Sequence, residues 1–283
     1  MTPQQAKNSI LCPNCRRLIS RDEHSCPHCG TASPGSWWKN NPLFRGFTDP
    51  DHLVSMIIAA NVGMYILSLL LNPSRSGFAF NPFSFLSPSS RSLLILGSTG
   101  TVAILELQRW WTLVSASYLH GSLLHILFNM IALKQLAPLV TREYGGARMF
   151  IIYTLGGIGG YVLSLFAGIS FTIGASAAVC GLIGAMLYYG KSRGGIYGQN
   201  IYRQIGGWAI SIFVFGLLVP GINNWGHGGG MAAGALLGFL LGYQERRRES
   251  PRHRLLGTGC AALTALVLAW SALNGVFFLL FAR

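Results

Sequence analysis

Two apolar stretches of the sequence are the most informative about the fold. They are TIGASAAVCGLIGAMLYYG at residues 172–190 and GHGGGMAAGALLGFLLGY at residues 226–243. Each is close to the length of about 20 apolar residues that a helix needs to cross a bilayer core. Small residues recur at every fourth position, at Ala177, Gly181 and Ala185 in the first stretch and at Gly230, Gly234, Gly238 and Gly242 in the second. Such stripes allow helix backbones to approach closely in lipid. The pattern predicts closely packed membrane helices.

The composition of the whole chain agrees with a membrane location. Of its 283 residues, 51% are hydrophobic and 10% are charged, whereas a soluble domain carries about 25% charged residues. We therefore predict an all-α, polytopic fold embedded in the lipid bilayer. The seven predicted spans lie at 53–71, 118–139, 149–168, 172–190, 205–222, 226–243 and 256–281. The loop at 72–117 is rich in Ser, Pro and Phe, which is typical of a segment at the membrane interface.

The basic residues predict the orientation, because Lys and Arg concentrate in cytosolic loops. Of the 21 Lys and Arg residues, 16 fall on the side of the N-terminus and four on the other, while Lys134 lies within a span. We expect a cell-membrane protein with a cytosolic N-terminus and an external C-terminus. This role in topology accounts for the net charge of +13 without a nucleic-acid partner.

None of the eight acidic residues falls in the middle of a predicted span. An aspartyl intramembrane protease needs paired carboxylates in the bilayer, and a proton-coupled carrier usually has a carboxylate in its relay. The sequence also lacks His-Glu-x-x-His, the zinc-binding pattern of metalloproteases. These three classes are therefore disfavoured. The acidic residues are Asp22, Glu23, Asp49, Asp51, Glu106, Glu143, Glu245 and Glu249.

Five polar residues in or near the spans are candidates for chemistry. Three histidines, His120, His125 and His227, fall within predicted spans, where a polar ring is costly. Ser176 and His227 lie at similar depth near the outer face, and an imidazole within hydrogen-bonding reach activates a serine hydroxyl. With no carboxylate at that depth, the two predict a Ser–His dyad. His125 and Asn129, one helical turn apart near the same face, could donate hydrogen bonds to an oxyanion. The alternative for each histidine is a simple interhelical hydrogen bond.

Three motifs, in this order, resemble those of the rhomboid family of intramembrane serine proteases. They are His120 with His125-x-x-x-Asn129, Gly174-Ala175-Ser176 followed by Gly181 and Gly184, and His227-x-x-Gly230-x-x-x-Gly234. The resemblance covers roughly residues 51–244. It implies six core helices around a water-filled cavity open to the outside, with the last span as an additional C-terminal helix.

The resemblance also implies a reaction and roles for five residues. Ser176 would attack a peptide bond of a transmembrane protein substrate near the outer face, with His227 as general base and then general acid. His125, Asn129 and the Ser176 backbone N–H would bind the oxyanion. His120 would be structural or part of a water network. The reaction needs no cofactor.

Four departures from the family pattern leave a second interpretation open. Ala177 follows the nucleophile where the family usually has Gly, and Cys180 stands where it often has an aromatic residue. Thr112 replaces the Arg of a Trp-Arg pair, and Thr141 replaces a Glu. The alternative is therefore a weak or inactive rhomboid-like protein that binds membrane clients. A transporter or channel is a third interpretation, which the absence of membrane carboxylates disfavours.

A polar head precedes the first span and carries four of the six cysteines. Cys12 and Cys15 form one Cys-x-x-Cys pair, and Cys26 and Cys29 form a second pair ten residues later. Four thiolates at this spacing can surround a zinc ion as a tetrahedron. His24 and His28 could replace a cysteine ligand, but the four cysteines already complete the site. The pattern predicts a structural zinc site that resembles a short zinc ribbon; a redox pair is the alternative.

The sequence thus divides into four predicted regions. A cytosolic zinc-ribbon-like head spans residues 1–34 and an interfacial linker 35–50. The rhomboid-like core spans 51–244, and a basic loop with the extra helix spans 245–283. We expect a cytosolic partner for the head, whose identity the sequence does not specify.

Overall fold

The computed structural model describes residues 8–13, 15, 17–36, 50–71, 77–78 and 84–281. Its contacts divide the chain into two compact units, Met1–Leu53 and Val54–Arg283. Most of the predicted interfacial linker lies outside the described residues. So do six of the basic residues counted for the orientation, the acidic residue Asp49, and two phenylalanines of the loop at 72–117. The basic residues are Lys7, Arg16, Lys39, Arg45, Arg75 and Arg283, and the phenylalanines are Phe80 and Phe83.

The head contains a minimal β-hairpin. Strands β1 (Ser9–Leu11) and β2 (Leu18–Ser20) pair antiparallel, with Ile10 opposite Ile19. Cys12, at the end of β1, donates its backbone N–H to Arg17 O at 2.9 Å, which closes the hairpin. The core cluster of this unit consists of Cys12, Ile19 and Cys26. So small a core cannot stabilise a fold by burial alone.

Within the described part of the chain, seven long helices make up the second unit. They are α1 (Pro50–Leu70), α4 (Leu123–Tyr144), α5 (Gly146–Phe166), α6 (Ser176–Arg193), α7 (Gly195–Leu218), α8 (Asn224–Leu241) and α9 (Pro251–Phe281). Between α1 and α4 lie a two-stranded sheet, β3 (Gly77–Phe78) with β4 (Phe85–Ser87), and the short helices α2 (Ser90–Ile95) and α3 (Thr112–Ser115). The segment between α2 and α3 contains a π-helical turn, Val102–Glu106. A 3₁₀ turn, Ala116–Tyr118, follows α3.

Among the described residues, five helices are long and apolar enough to cross a membrane: α1, α4, α5, α7 and α9. The mostly helical, polytopic membrane fold predicted from the sequence is therefore confirmed. Helices α6 and α8 contain only 18 residues each and are richer in Gly and Ala. They pack mainly against each other and α5. Lys134, predicted within a span, is exposed in the middle of α4.

The small-residue stripes of α6 and α8 face each other. A Cβ on Gly234 would lie 1.8 Å from the carbonyl oxygen of Gly181, and one on Gly184 would lie 1.9 Å from that of Met231. Real side chains never approach a backbone so closely, so only glycine fits at these positions. Gly242, predicted to continue the stripe, instead ends α8 with a φ of +68°, a conformation that glycine adopts readily.

Several predicted helix boundaries were wrong. Helix α4 begins at Leu123 rather than 118 because Ser122 caps it, accepting the His125 N–H at 3.2 Å. His120 therefore precedes the helix instead of lying within it. Because α4 continues to Tyr144, Glu143 lies in its last turn rather than beyond it.

Most of the described arginines assigned to the cytosolic side gather at one end of the bundle. Arg148 is fully buried and donates to the carbonyl oxygens of Gly242 at 2.6 Å and Arg247 at 2.8 Å. Arg193 forms an ion pair with Glu245 at 2.9 Å. These contacts tie the ends of α5, α6 and α8 to the loop before α9. Ser122 and Ser176 lie at the start of their helices, at the opposite end.

Candidate active site

Ser176 is the first residue of α6, and the backbone before it is firmly held. Gly174 has a φ of +120°, which favours glycine. Its N–H donates to Ala116 O at 2.9 Å, and its carbonyl accepts from the Tyr161 hydroxyl at 2.6 Å. Helix α6 consequently begins at 176 rather than at the predicted 172. The Ser176 side chain is half-buried.

His227 lies one turn into α8 and faces Ser176. Its Nε2 is 3.0 Å from Ser176 Oγ, although the two residues are 51 positions apart in the chain. The close glycine contacts between α6 and α8 permit this approach. The other ring nitrogen, Nδ1, is buried and has no hydrogen-bond partner within the described part of the chain. No described carboxylate therefore orients this histidine.

His125 borders the same space from the start of α4. Its Nδ1 accepts the Gly121 N–H at 3.3 Å, so the ring proton of a neutral His125 lies on Nε2. The position that a Cβ of residue 174 would occupy is 2.7 Å from His125 Nε2 and 3.7 Å from Ser176 Oγ. A hydrogen-bond donor and the serine hydroxyl thus flank one gap, which Gly174 keeps open.

Asn129 lies one helical turn after His125 and is mostly buried. Its Nδ2 donates one hydrogen to the His125 carbonyl at 2.9 Å, so the second N–H of this amide is uncommitted in that contact. The amide also braces the turn of α4 that carries the His125 ring.

His120 is fully buried, with its ring centroid 5.0 Å from that of His125. Neither of its ring nitrogens has a partner within the described residues. Buried polar groups of this kind are usually satisfied by ordered water. The position is compatible with the water-network role that the resemblance implies.

Ala177 and Cys180, which depart from the rhomboid pattern near Ser176, are both buried in the helix packing. The Ala177 methyl group lies in a buried cluster with Ala116 and Tyr161. Cys180 is fully buried, and a Cβ added to Gly230 would lie 3.2 Å from the Cβ of Cys180.

Sequence reasoning missed two side chains beside this site, Tyr161 and Asn223. Asn223 caps α8, accepting the Gly226 N–H at 2.9 Å on its Oδ1. An Asn directly before a helix is a recognised capping signal, which could have identified it. Tyr161 carried no such signal, because a tyrosine in a glycine-rich span is most simply a packing residue.

The four head cysteines converge on one point, with their sulfur atoms within 4.8 Å of one another. The Sγ atoms of Cys12 and Cys29 are 3.6 Å apart, and those of Cys15 and Cys26 are 3.7 Å apart. Thiolates at about 2.3 Å from a tetrahedral zinc ion would be separated by about 3.8 Å. The cluster can therefore hold a metal ion, and its spacing fits zinc.

The thiols of this cluster also affect one another. The backbone N–H of Arg17 acts to lower the pKa of Cys15, but burial and the three neighbouring thiols together raise this pKa to about 12. A bound cation would reverse this effect, because metal ligation deprotonates thiols.

Comparison with known proteins places this site in a family. A sequence model of the rhomboid domain matches residues 107–244. RHOMBOID-like protein 2 of Arabidopsis thaliana is 30% identical over 247 residues, covering 75% of this chain and 77% of the relative. The chain belongs to the rhomboid family.

Two further relatives extend the comparison. RHOMBOID-like protein 4 of Arabidopsis thaliana is 34% identical over 205 residues, which is 67% of this chain but only 52% of the relative. Rhomboid protease GluP of Bacillus subtilis is 32% identical over 156 residues, covering 55% of this chain and 31% of that protein. This rhomboid chain thus spans about half or less of the length of these two relatives.

Proposed function

We propose that this protein is an intramembrane serine endopeptidase that cleaves transmembrane protein substrates near the outer membrane face. The observation that carries the proposal is the 3.0 Å contact between His227 Nε2 and Ser176 Oγ. Membership of the rhomboid family and the similarity to a bacterial relative named as a protease support it.

The geometry suits a two-residue mechanism. His227 Nε2 accepts the hydroxyl proton as Ser176 Oγ attacks the substrate carbonyl, and it then returns the proton to the leaving amine. Water then attacks the acyl-enzyme while His227 Nε2 accepts its proton, and His227 returns this proton to Ser176 Oγ as the carboxylic acid product leaves. Because His227 Nδ1 has no described partner, no carboxylate is assigned to this reaction.

Three donors are proposed for the oxyanion. The first residue of a helix has no intrahelical acceptor for its N–H, so the Ser176 backbone N–H is available. The His125 Nε2–H borders the gap beside Ser176 Oγ, and Asn129 holds a second uncommitted N–H one turn away. Donors fixed before the reaction stabilise the developing charge without reorganisation.

Substitution of the two catalytic residues tests the proposal. We expect Ser176→Ala and His227→Ala each to abolish cleavage of a transmembrane substrate in proteoliposomes. Ser176→Ala should also abolish labelling by a fluorophosphonate probe. Ser211→Ala, which changes an exposed serine of α7, is the matched control and should behave like the wild type.

The outcomes separate the protease from a client-binding protein. A folded wild type that neither labels nor cleaves, yet retains a transmembrane client, would support the inactive rhomboid-like alternative. Labelling that persists in Ser176→Ala would assign the nucleophile to another residue.

We also propose that the head binds one structural zinc ion through Cys12, Cys15, Cys26 and Cys29. The ion would cross-link the end of the β-hairpin to the second Cys-x-x-Cys turn. It would take no part in peptide cleavage. The surface around it is the proposed site for a cytosolic partner.

The domain limits and the orientation are proposals of the same kind. We place the head at 1–34, the linker at 35–50, the core at 51–244 and the basic loop with α9 at 245–283, in the cell membrane. With a cytosolic N-terminus and external C-terminus, Arg252→Cys should be protected from a membrane-impermeant thiol reagent in intact cells. Ser90→Cys should react. Both positions are exposed, so equal labelling of the two would overturn the orientation.

A further inference from the structure

A polar contact away from the dyad connects the two segments that carry Ser176 and His227. Asn223 lies one turn before His227, whose N–H donates to the Asn223 carbonyl at 3.2 Å. The Asn223 Nδ2 donates to Thr172 Oγ1 at 3.0 Å, and Thr172 lies four residues before Ser176. One side chain therefore joins the start of the histidine helix to the loop that leads into the serine helix.

The orientation of the Asn223 amide is fixed by its neighbours. Its Oδ1 accepts the Gly226 N–H at 2.9 Å, so the amide nitrogen must face the other way. There it donates one hydrogen to Thr172 and the second to Ser164 Oγ of α5, at 2.7 Å. Both hydroxyls are buried. All the hydrogen-bonding groups of this side chain except one oxygen lone pair are thus used.

The loop that Asn223 holds is anchored on its other side by the segment between α2 and α3. Thr172 and Thr99 exchange both backbone hydrogen bonds, at 2.8 and 3.0 Å, and Thr101 N–H donates to Ile169 O at 2.9 Å. These bonds fix the loop against the segment before α3, but they do not involve α8. The contact with Asn223 sets the position of the loop relative to the histidine helix.

We infer that Asn223 is a positioning residue, which sets the distance between Ser176 and His227 by holding Thr172 and capping α8 at the same time. Asn223 touches neither the nucleophile nor the base through its side chain. The inference rests on the proposed protease function, because the distance matters for proton transfer from Ser176 to His227. Small misplacements of reacting groups are costly in catalysis.

Substitutions at Thr172 and Ser164 separate this role from general stability. Thr172→Val keeps the side-chain shape but removes the hydroxyl that accepts the Asn223 amide hydrogen, whereas Thr172→Ser keeps this hydroxyl. Ser164→Ala is the matched control, because it removes the other acceptor of the same amide on α5. Asn223→Gly removes both contacts while retaining a residue that caps helices almost as well.

Two readouts are needed, and one is independent of activity. Amide hydrogen exchange of residues 169–175 reports how firmly the loop is held in place. The rate of fluorophosphonate labelling reports the reactivity of Ser176. Thr172→Val and Asn223→Gly should raise exchange and slow labelling by about threefold to tenfold, the effect of one lost hydrogen bond. Thr172→Ser and Ser164→Ala should remain near the wild type in both.

Specific results would contradict the positioning role of Asn223 or the proposed protease function. Unchanged exchange at 169–175 in Thr172→Val and Asn223→Gly would overturn the inference, and so would equal slowing in Ser164→Ala. If wild-type Ser176 fails to react at all, the proposed protease function fails. The exchange measurement then still decides whether Asn223 positions the loop.

Discussion

The head and the helical bundle of this chain hold polar groups in place by opposite means. In the head, four thiols converge beside two short strands, and the core cluster consists of two of these cysteines and Ile19. In the bundle, backbones approach so closely at Gly181 and Gly234 that a single methyl group would not fit. Packing positions the Ser176–His227 pair, whereas the cysteine cluster has little packing around it.

The two regions obtain their stability from different sources. Close helix contacts in lipid gain van der Waals energy along their whole length. A small polar head has few such contacts, so its folding depends on the metal ion that its cysteines would bind. The two regions should therefore respond to different perturbations.

Removal of the metal should have the largest effect, and only on the head. Structural zinc contributes about 10–16 kcal/mol to the folding of zinc-finger peptides, so we expect Cys12→Ser or a strong chelator to unfold the head completely. Fluorophosphonate labelling of Ser176 should persist. Elemental analysis should give about one zinc per wild-type chain, and limited proteolysis should report unfolding.

Cys260→Ser, in α9 and outside the cluster, is the control for this experiment and should retain the metal. A head that stays folded and protease-resistant without metal would contradict the prediction.

Truncation of an oxyanion donor should have the next largest effect, and only on the bundle. Loss of one such donor typically slows turnover by about 10²–10³-fold, so we expect Asn129→Ala to fall in this range, or below it if His125 compensates. The measurement is initial rate with a transmembrane substrate. Asn274→Ala removes an exposed amide that makes the same contact, to the carbonyl four residues earlier in α9, and should leave the rate unchanged.

A single methyl group in the α6–α8 contact should destabilise the bundle by a smaller amount. Overpacking typically costs about 1–3 kcal/mol, and the 1.8 Å approach at Gly234 leaves no room for a Cβ. We expect Gly234→Ala to lower the thermal midpoint in detergent without changing zinc content. Gly206→Ala adds the same atom to α7, where nothing lies within 4 Å, and should not lower it. Equal effects would show that the contact is looser than described.

Neutralising Glu106 should have the smallest effect. Glu106 is the acidic residue of the long loop between α1 and α4, and its side chain is exposed. Surface substitutions usually change energies by about 0.5 kcal/mol or less, so Glu106→Gln should alter cleavage by no more than about twofold. Damage as severe as that of His227→Ala, in a folded protein, would require a triad in place of the dyad.

The class of the protein and its candidate residues could be predicted from the amino-acid sequence alone. Low charge and long apolar segments predict a membrane protein, because lipid excludes charged surface. Paired Cys-x-x-Cys motifs and the motif around Ser176 are local patterns, so they can be read without coordinates. The stripe at Gly230 and Gly234 showed which helix would pack closely, since helical periodicity is also local.

How these residues come together depends on the tertiary structure. The starts of α4 and α6 depend on the Ser122 cap and on the left-handed Gly174, which shifted the predicted boundaries by four or five residues and moved His120 out of its helix. The ring proton of His125 is placed by the Gly121 N–H. The tie from Asn223 to Thr172 spans 51 residues of chain. Contacts between distant segments follow from the packing of the whole bundle, and no short stretch of sequence encodes them.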